Sequence, residues 1–312
     1  MRINLSSAVA KALFIILALL CLSPFISSPI ALLMGFIVTN VVYNPFKQYT
    51  GKIVKWLLKI SIVGLGFGMN LNKTLEVGKE GLGLTIFTIV TVLILGYFLG
   101  KLLKIDKGIA YLISSGTAIC GGSAIAAVSA VVKAKENQIS IALGVVFFLN
   151  AVALFVFPTL GHLLNLSQAD FGLWSAVAIH DTSSVVGAAL AYGEEALDIA
   201  VTVKLARALW IIPLTIVSMF LFKGKTDSIK IPWFIFLFIA AVVFSSYVDL
   251  PNLVTVGIPA VAKQLLVLTL FLVGSGLTIQ SIKESGLQPI VLGSSLWIVI
   301  SVTSLCYILF LH

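Results

Sequence analysis

Charged side chains are scarce in this chain. Of its 312 residues only 10% are Asp, Glu, Lys or Arg, whereas 60% are hydrophobic, and the mean hydropathy is +1.14. A soluble domain is roughly 45–50% apolar, so the composition excludes a soluble protein and predicts an all-α polytopic membrane protein. The net charge of +8 is interpreted as basic loops on one membrane face, and no nucleic-acid partner is expected.

Cysteine is equally rare, and the usual nucleotide-binding motifs are missing. Cys21, Cys120 and Cys306 lie far apart in apolar runs without a CxxC pair, which argues against a disulfide framework, a metal site or another bound cofactor. Without a Walker or Rossmann motif, an ATP-driven pump is not expected from this chain alone. Cys120 and His180 form the one conceivable nucleophile–base pair, and nothing in the sequence brings them together, so we expect no enzyme.

Long apolar runs fill the rest of the chain, and they predict about eleven transmembrane helices. The first run follows Arg2 and Lys11 like a signal peptide, but no small-x-small cleavage site follows it, so it is interpreted as an uncleaved span. The predicted spans lie near 9–24, 28–44, 52–71, 82–104, 108–132, 138–164, 171–192, 197–222, 231–248, 253–279 and 288–311.

Basic residues distribute unevenly between the two faces that this span count creates. With the N-terminus in the cytoplasm, the cytoplasmic face holds Arg2, Lys11, Lys47, Lys52, Lys55, Lys101, Lys104, Lys107, Lys223, Lys225, Lys230 and Lys283. The opposite face holds Lys73, Lys79, Lys133 and Lys135 among several glutamates. The positive-inside rule therefore predicts a cytoplasmic N-terminus and an outside C-terminus.

Two glycine-rich segments indicate an internal repeat. Val63–Leu71 ends the third span and Val273–Ile279 ends the tenth, and a Lys-Glu turn follows each. The two segments are an odd number of spans apart, so they point in opposite directions, as in the inverted repeats of secondary transporters. A single transporter domain is predicted over 1–312, with an extra span at 1–27 and repeats at 28–165 and 166–312.

The stretch Ser114–Ser123 has glycines and hydroxyl residues where a plain membrane helix would have leucine and valine. A helix broken in lipid survives only where it lines a cavity or is buried in protein. This pattern predicts a discontinuous helix whose second half begins near Gly121 and Gly122, with an N-terminus that favours an anion. The alternative is close packing of helices through small residues.

The seventh span carries His180, Asp181, Thr182 and Ser183 in succession. Ionisable residues inside the membrane are functional candidates by default. Asp181 is predicted to hold a coupling proton or sodium ion, assisted by His180, which can change charge near neutrality. The alternative is that Asp181 only ties its helix to a basic partner.

The eighth span carries Lys204 and Arg207 on one helical face. Two cations facing a cavity would attract an anion, whereas in the alternative both side chains reach the membrane interface. The full set of candidate substrate-binding residues is Gly116, Thr117, Cys120, Gly121, Gly122, Ser123, Thr182, Ser183, Lys204, Arg207 and Ser275.

Several of these runs resemble one family. The segments 117–127, 172–182 and 203–207, together with 64–71 and 231–234, are similar to a family of conserved bacterial inner-membrane proteins described as sulfate exporters. This family is grouped with the cation–proton antiporter and anion transporter superfamily. The resemblance implies two inverted five-helix units with discontinuous helices that cross near mid-membrane, and it makes a homodimer a further expectation.

The resemblance leaves the second discontinuous helix open. The tenth span, at Gly274–Gly276, has the antiparallel offset, and the His180–Ser184 segment competes with it. The sequence as a whole predicts an ion-coupled secondary transporter, an exporter of a small anion such as sulfate or a sulfonate, with membrane lipid around it. The alternative function is a cation–proton antiporter that uses Asp181 as its ion site.

Overall fold

The computed structural model describes residues 6–23, 25–222, 233–280 and 286–311, and the regular elements in these ranges are helices. They are α1 (Ser7–Leu20), α2 (Ser28–Val41), α3 (Lys47–Gly66), α4 (Leu71–Leu102), α5 (Lys107–Ala118), α6 (Gly122–Val131), α7 (Glu136–Leu163), α8 (Gln168–Ala178), α9 (Thr182–Tyr192), α10 (Glu194–Ala208), α11 (Ile211–Phe222), α12 (Phe234–Tyr247), α13 (Ile258–Gly276, after a π-helical turn at Leu253–Gly257) and α14 (Leu287–Leu311). The all-α fold class is confirmed.

Five stretches of helix are long and apolar enough to cross a membrane. They are Thr74–Leu102, Glu136–Leu163, Glu194–Phe222, Leu253–Gly276 and Leu287–Phe310. Large apolar side chains such as Phe87, Tyr97 and Phe220 are exposed on the outer surface. A surface of this kind is stable in contact with lipid, so the chain is a multi-pass membrane protein.

The helices α5 and α6 form a hairpin that enters the molecule and returns to the same face. Gln138, at the start of α7, donates a hydrogen bond of 2.7 Å from Nε2 to Oδ1 of Asp106, which caps the start of α5. Near the turn, an ideal Cβ on Gly116 would lie 3.0 Å from Cγ1 of Ile125, so α5 and α6 run back against each other. We call Lys107–Val131 the first hairpin.

The helices α8 and α9 form a second hairpin of the same kind. The Gln168 side chain at the start of α8 accepts a hydrogen bond of 3.1 Å from the Glu195 backbone N–H, just beyond the end of α9. Tyr192 at the end of α9 stacks on Phe171 in the first turn of α8, with 3.8 Å between ring centroids. Both ends of Gln168–Tyr192, the second hairpin, therefore lie together.

The two hairpins enter from opposite ends of α7. The first hairpin has its base where α7 begins, at the end that we call the proximal face, and the second has its base where α7 ends, at the distal face. Each half-helix has 10–12 residues, or about 15–18 Å, which is about half of a ~30 Å hydrocarbon core. The hairpin tips therefore meet near the middle of the molecule.

This arrangement differs from the sequence prediction at two of the eleven expected spans. The segments near 108–132 and 171–192 are broken, as predicted for the first, but each folds back instead of crossing. Apolar content shows that a segment enters the membrane without showing where it leaves. As a consequence Lys133 and Lys135, expected opposite Lys104, lie with it at the proximal face.

The second discontinuous segment is the one at His180, whereas α13 is an unbroken helix up to Gly276. Glycines hold α13 against its neighbours. An ideal Cβ on Gly64 would lie 2.9 Å from Cβ of Ala262, and Gly274 packs directly against the backbone of Leu32. The glycine-rich ends of α3 and α13 point in opposite directions, as expected for an inverted repeat, while the repeat boundaries stay a prediction.

Candidate functional site

The tips of the two hairpins touch at Gly121 and Asp181. Gly121 has φ 62° and ψ −124°, a backbone conformation open to glycine and strained for other residues. An ideal Cβ at this position would lie 3.3 Å from both Cα and Cβ of Asp181. The glycine therefore allows both the sharp turn between α5 and α6 and the close approach of the second hairpin.

The Lys204 side chain holds the C-terminal end of α8. This residue is fully buried, and its Nζ donates hydrogen bonds of 3.2 Å to the Ala176 carbonyl and 2.7 Å to the Ile179 carbonyl. These carbonyls lie where α8 breaks and has no backbone donors left, so a cation is stabilising there. The charge of Lys204 is thus directed at the second hairpin itself.

Arg207 lies fully buried one turn further along α10 and is only partly satisfied. Its Nη1 donates a hydrogen bond of 2.9 Å to Oγ1 of Thr88 on α4, while Nε and Nη2 have no partner. Lys263–Glu194 is the one ion pair between described residues, so no described carboxylate pairs with Arg207. A buried guanidinium is costly without an anion, and the unpartnered edge is the one that binds two oxygens side by side.

The two half-helix N-termini at the tips, those of α6 and α9, differ in how they are capped. Asp181 is the N-cap of α9, and its carboxylate accepts hydrogen bonds from the backbone N–H and the hydroxyl of Ser183. The N-cap of α6 is Gly121, which offers no side-chain acceptor. The N-terminus of α9 is therefore capped by a carboxylate of its own chain, whereas that of α6 has no side-chain cap.

Several other buried polar atoms around the hairpins lack a partner. Both ring nitrogens of His180 lack a hydrogen-bond partner in a side chain that is 1% exposed. The positive charges of Lys204 and Arg207 both act on this imidazole. Buried polar groups are nearly always hydrogen-bonded in folded proteins. The other unpartnered atoms on the hairpins and the middle of α7 are Ser115 Oγ, Thr117 Oγ1 and Asn150 Nδ2.

The structure brings together most of the residues that the sequence singles out. The first hairpin carries Gly116, Thr117, Cys120, Gly121 and Gly122, the second carries His180, Asp181, Thr182 and Ser183, and α10 carries Lys204 and Arg207. Cys120 is buried, and the charges of Lys204, Arg207 and Asp181 all act on its thiol.

Two candidates lie elsewhere. Ser123 is exposed on the outer side of α6. Ser275 belongs to a hydrogen-bond network beside α2, in which its Oγ accepts a bond of 3.1 Å from Asn44 and its carbonyl accepts one of 2.8 Å from Thr39. The expected role of Ser275 rested on placing the second break in the tenth span, and the break lies in the second hairpin instead.

Sequence reasoning missed two contributors. Thr88 is an ordinary residue of an apolar helix, and its role as the partner of Arg207 depends on how α4 packs against α10. Asn150 is a single polar residue of an apolar helix, and its Oδ1 accepts a hydrogen bond of 3.2 Å from the Asp181 backbone N–H at the hairpin tip. Over the described residues there is no group of three His, Cys, Asp or Glu side chains that could hold a metal ion.

Comparison with known proteins identifies a family of membrane proteins. The profile described as "Conserved hypothetical protein 698" matches residues 5–293. A UPF0324 membrane protein of Photobacterium profundum is 51% identical over 300 residues, covering 96% of this chain and 92% of its own. A UPF0324 membrane protein of Bacteroides thetaiotaomicron is 48% identical over 291 residues, covering 92% of this chain and 88% of its own.

No solved structure matches the chain. The names of these relatives describe membrane proteins and state no transported substrate. The family match and the high identity over nearly full lengths agree with each other. The chain belongs to the conserved bacterial UPF0324 membrane protein family, described as conserved hypothetical protein 698.

Proposed function

We propose that this protein is an ion-coupled secondary transporter that exports a small anion such as sulfate or a sulfonate. The observation that carries the proposal is the buried Arg207 guanidinium, whose Nε and Nη2 have no partner. An oxyanion at this edge would supply the missing acceptors with two charge-assisted hydrogen bonds. The open N-terminus of α6 would contribute backbone N–H groups to the same anion.

The two hairpins supply a physical route for transport. Because their bases lie at opposite faces and their tips meet, movement of either hairpin would open the tips towards one face while the other hairpin still closes the second. Alternating access to a site at a repeat interface is the general mechanism of secondary transporters. Lys204 acts in this proposal as the residue that holds the second hairpin together, and Arg207 as the substrate-binding cation.

Asp181 and His180 are the proposed coupling residues. The Asp181 carboxylate caps α9, and Cα and Cβ of the same residue lie against Gly121 of the other hairpin, so binding of a proton or sodium ion at Asp181 would alter the contact between the tips. His180 lies within the break between α8 and α9 and offers two unpaired ring nitrogens. Coupling then links the charge on the second hairpin to anion binding at Arg207.

The orientation follows from charge. At the proximal face lie Lys101, Lys104, Lys107, Lys133 and Lys135, so the positive-inside rule assigns this face to the cytoplasm of a bacterial inner membrane. The N-terminus is then cytoplasmic and the C-terminus outside. Moving Lys133 and Lys135 to this face strengthens the asymmetry. A homodimer remains an expectation from the family resemblance.

Thermal unfolding of the purified protein tests the proposal. Sulfate, sulfite, thiosulfate, taurine and short carboxylates are added, each with and without sodium and at two pH values. A ligand that binds the native state at 100 times its Kd stabilises by about 2.7 kcal/mol. We expect one oxyanion class to raise Tm. If no anion raises Tm, while sodium or pH does so in a way that needs Asp181, the protein is a cation–proton antiporter.

A further inference from the structure

A basic and aromatic stripe runs along the exposed side of α3, remote from the hairpins. Lys52, Lys55, Trp56 and Lys59 follow one another at three- and four-residue spacing and so share one helical face. The Lys59 Nζ lies 5.1 Å from the ring centroid of Trp56 and 5.3 Å from that of Trp233, at the start of α12. The stripe therefore joins two helices at the membrane-facing surface.

Within the part of the chain that the structure describes, no carboxylate forms an ion pair with the cations of this stripe. The first 75 residues contain no Asp or Glu, and neither does α12. The ion pair between described residues, Lys263–Glu194, includes none of these lysines. Unlike most surface lysines, these three form a single-sign patch that attracts an external anion.

An apolar groove continues from the stripe. It begins about one turn further along α3, has a volume of about 360 Å³, and lies between α3 and α13. Its walls include Ile60, Gly64, Val261 and Leu265. The far end of the groove is formed by Leu253 and Gly257 in the turn before α13, so its end nearest the stripe is the one at Ile60 and Leu265. Side chains on a helix lean towards its N-terminus, so the Lys59 ammonium points away from the groove, to the proximal face.

We propose that this surface is a binding site for an anionic phospholipid. The headgroup phosphate contacts Lys52, Lys55 and Lys59, and one acyl chain lies in the groove beside Ile60 and Gly64. Trp56 and Trp233 have the amphipathic rings that favour the headgroup level. The lysines thus match the charged headgroup and the apolar groove matches an acyl chain of the same lipid molecule. The site is independent of the proposed transport function.

Quenching of tryptophan fluorescence by brominated lipids tests this site. The full-length protein is reconstituted in phosphatidylcholine vesicles that contain increasing fractions of brominated phosphatidylglycerol or brominated phosphatidylcholine. We expect phosphatidylglycerol to quench more steeply in the wild type. The variant K52Q/K55Q/K59Q should lose this preference, by about fivefold in relative affinity for each lysine.

The matched control is K101Q/K104Q/K107Q, which removes the same charge from the same face. It should keep the preference for phosphatidylglycerol. Millimolar inorganic phosphate should not displace the lipid, since the groove binds the acyl chain. Equal quenching by the two lipids in the wild type would overturn the proposal, as would a preference that survives in K52Q/K55Q/K59Q, or one that phosphate abolishes.

Discussion

Arg207 is the residue on which the proposed anion site depends most. Its buried charge lacks an acceptor for two N–H groups, so replacing it by Met removes an uncompensated cost. We expect Arg207→Met to be at least as stable as the wild type in anion-free buffer and to lose the anion-induced rise in Tm. Arg207→Lys keeps the charge without the planar edge and should bind the anion at least tenfold more weakly.

Lys204→Met is the matched control for Arg207, because it removes a buried cation from the same helix. Here the carbonyls of Ala176 and Ile179 lose their donor. We expect destabilisation of about 1–3 kcal/mol whether or not the anion is present. Thermal unfolding in both buffers separates the two effects, and an anion response that survives in Arg207→Met would contradict the assignment.

Asp181 combines a structural and a proposed coupling role, and two substitutions separate them. Asn caps helices about as well as Asp, whereas Ala costs about 1 kcal/mol. Asp181→Asn should therefore keep wild-type stability and lose the dependence of anion flux on the proton or sodium gradient. Asp181→Ala should lose both. Gradient-dependent flux in Asp181→Asn vesicles would remove Asp181 from the coupling mechanism.

The first hairpin depends on one glycine. Gly121→Ala forces a side chain into a left-handed conformation at φ 62° and places a Cβ 3.3 Å from Asp181. We expect a loss of about 1–3 kcal/mol in stability and of transport. Gly83→Ala, in α4, is the control, since nothing lies within 4 Å of its Cβ and Ala favours a helix. Equal Tm values for the two variants would show that the tip is not tightly packed.

The hairpins also show how far sequence reasoning reaches for a helical element. Glycine and hydroxyl residues at Ser114–Ser123 correctly predicted a break, because glycine weakens a helix and permits the backbone angles of a sharp turn. The same reasoning left the second break open between Gly274–Gly276 and His180–Ser184, and at Gly274 the glycine instead lets α13 approach α2. Small residues serve both purposes, and the packing partner that distinguishes them is remote in sequence.

For the whole molecule, hydropathy predicted the all-α membrane class but could not predict the path of the chain. A half-helix pair of 25 residues, such as Lys107–Val131, has the length and apolar content of a span. That it folds back as a hairpin is shown by the hydrogen bond between Asp106 and Gln138, 32 positions later, which places both ends of the segment at the same face. The sequence predicted which residues of α10 and of the hairpin tips form the candidate site. That Thr88 binds Arg207, and that Lys204 caps the end of α8, could be seen only in the packed structure.

The entry of the two hairpins from opposite faces can be tested by cysteine accessibility. In a background without Cys21, Cys120 and Cys306, single cysteines are placed at exposed hairpin bases and labelled in intact cells with a membrane-impermeant maleimide. The first hairpin is probed by Lys107→Cys and Asn137→Cys, and the second by Ala169→Cys and Glu195→Cys.

We expect both positions of a pair to react alike and the two pairs to react oppositely. The bases at 169 and 195 should label from outside, and those at 107 and 137 only after the membrane is permeabilised. Opposite labelling within either pair would mean that the segment crosses the membrane. The two tips would then not meet as hairpins, and the site at Arg207 would lose the geometry proposed for transport.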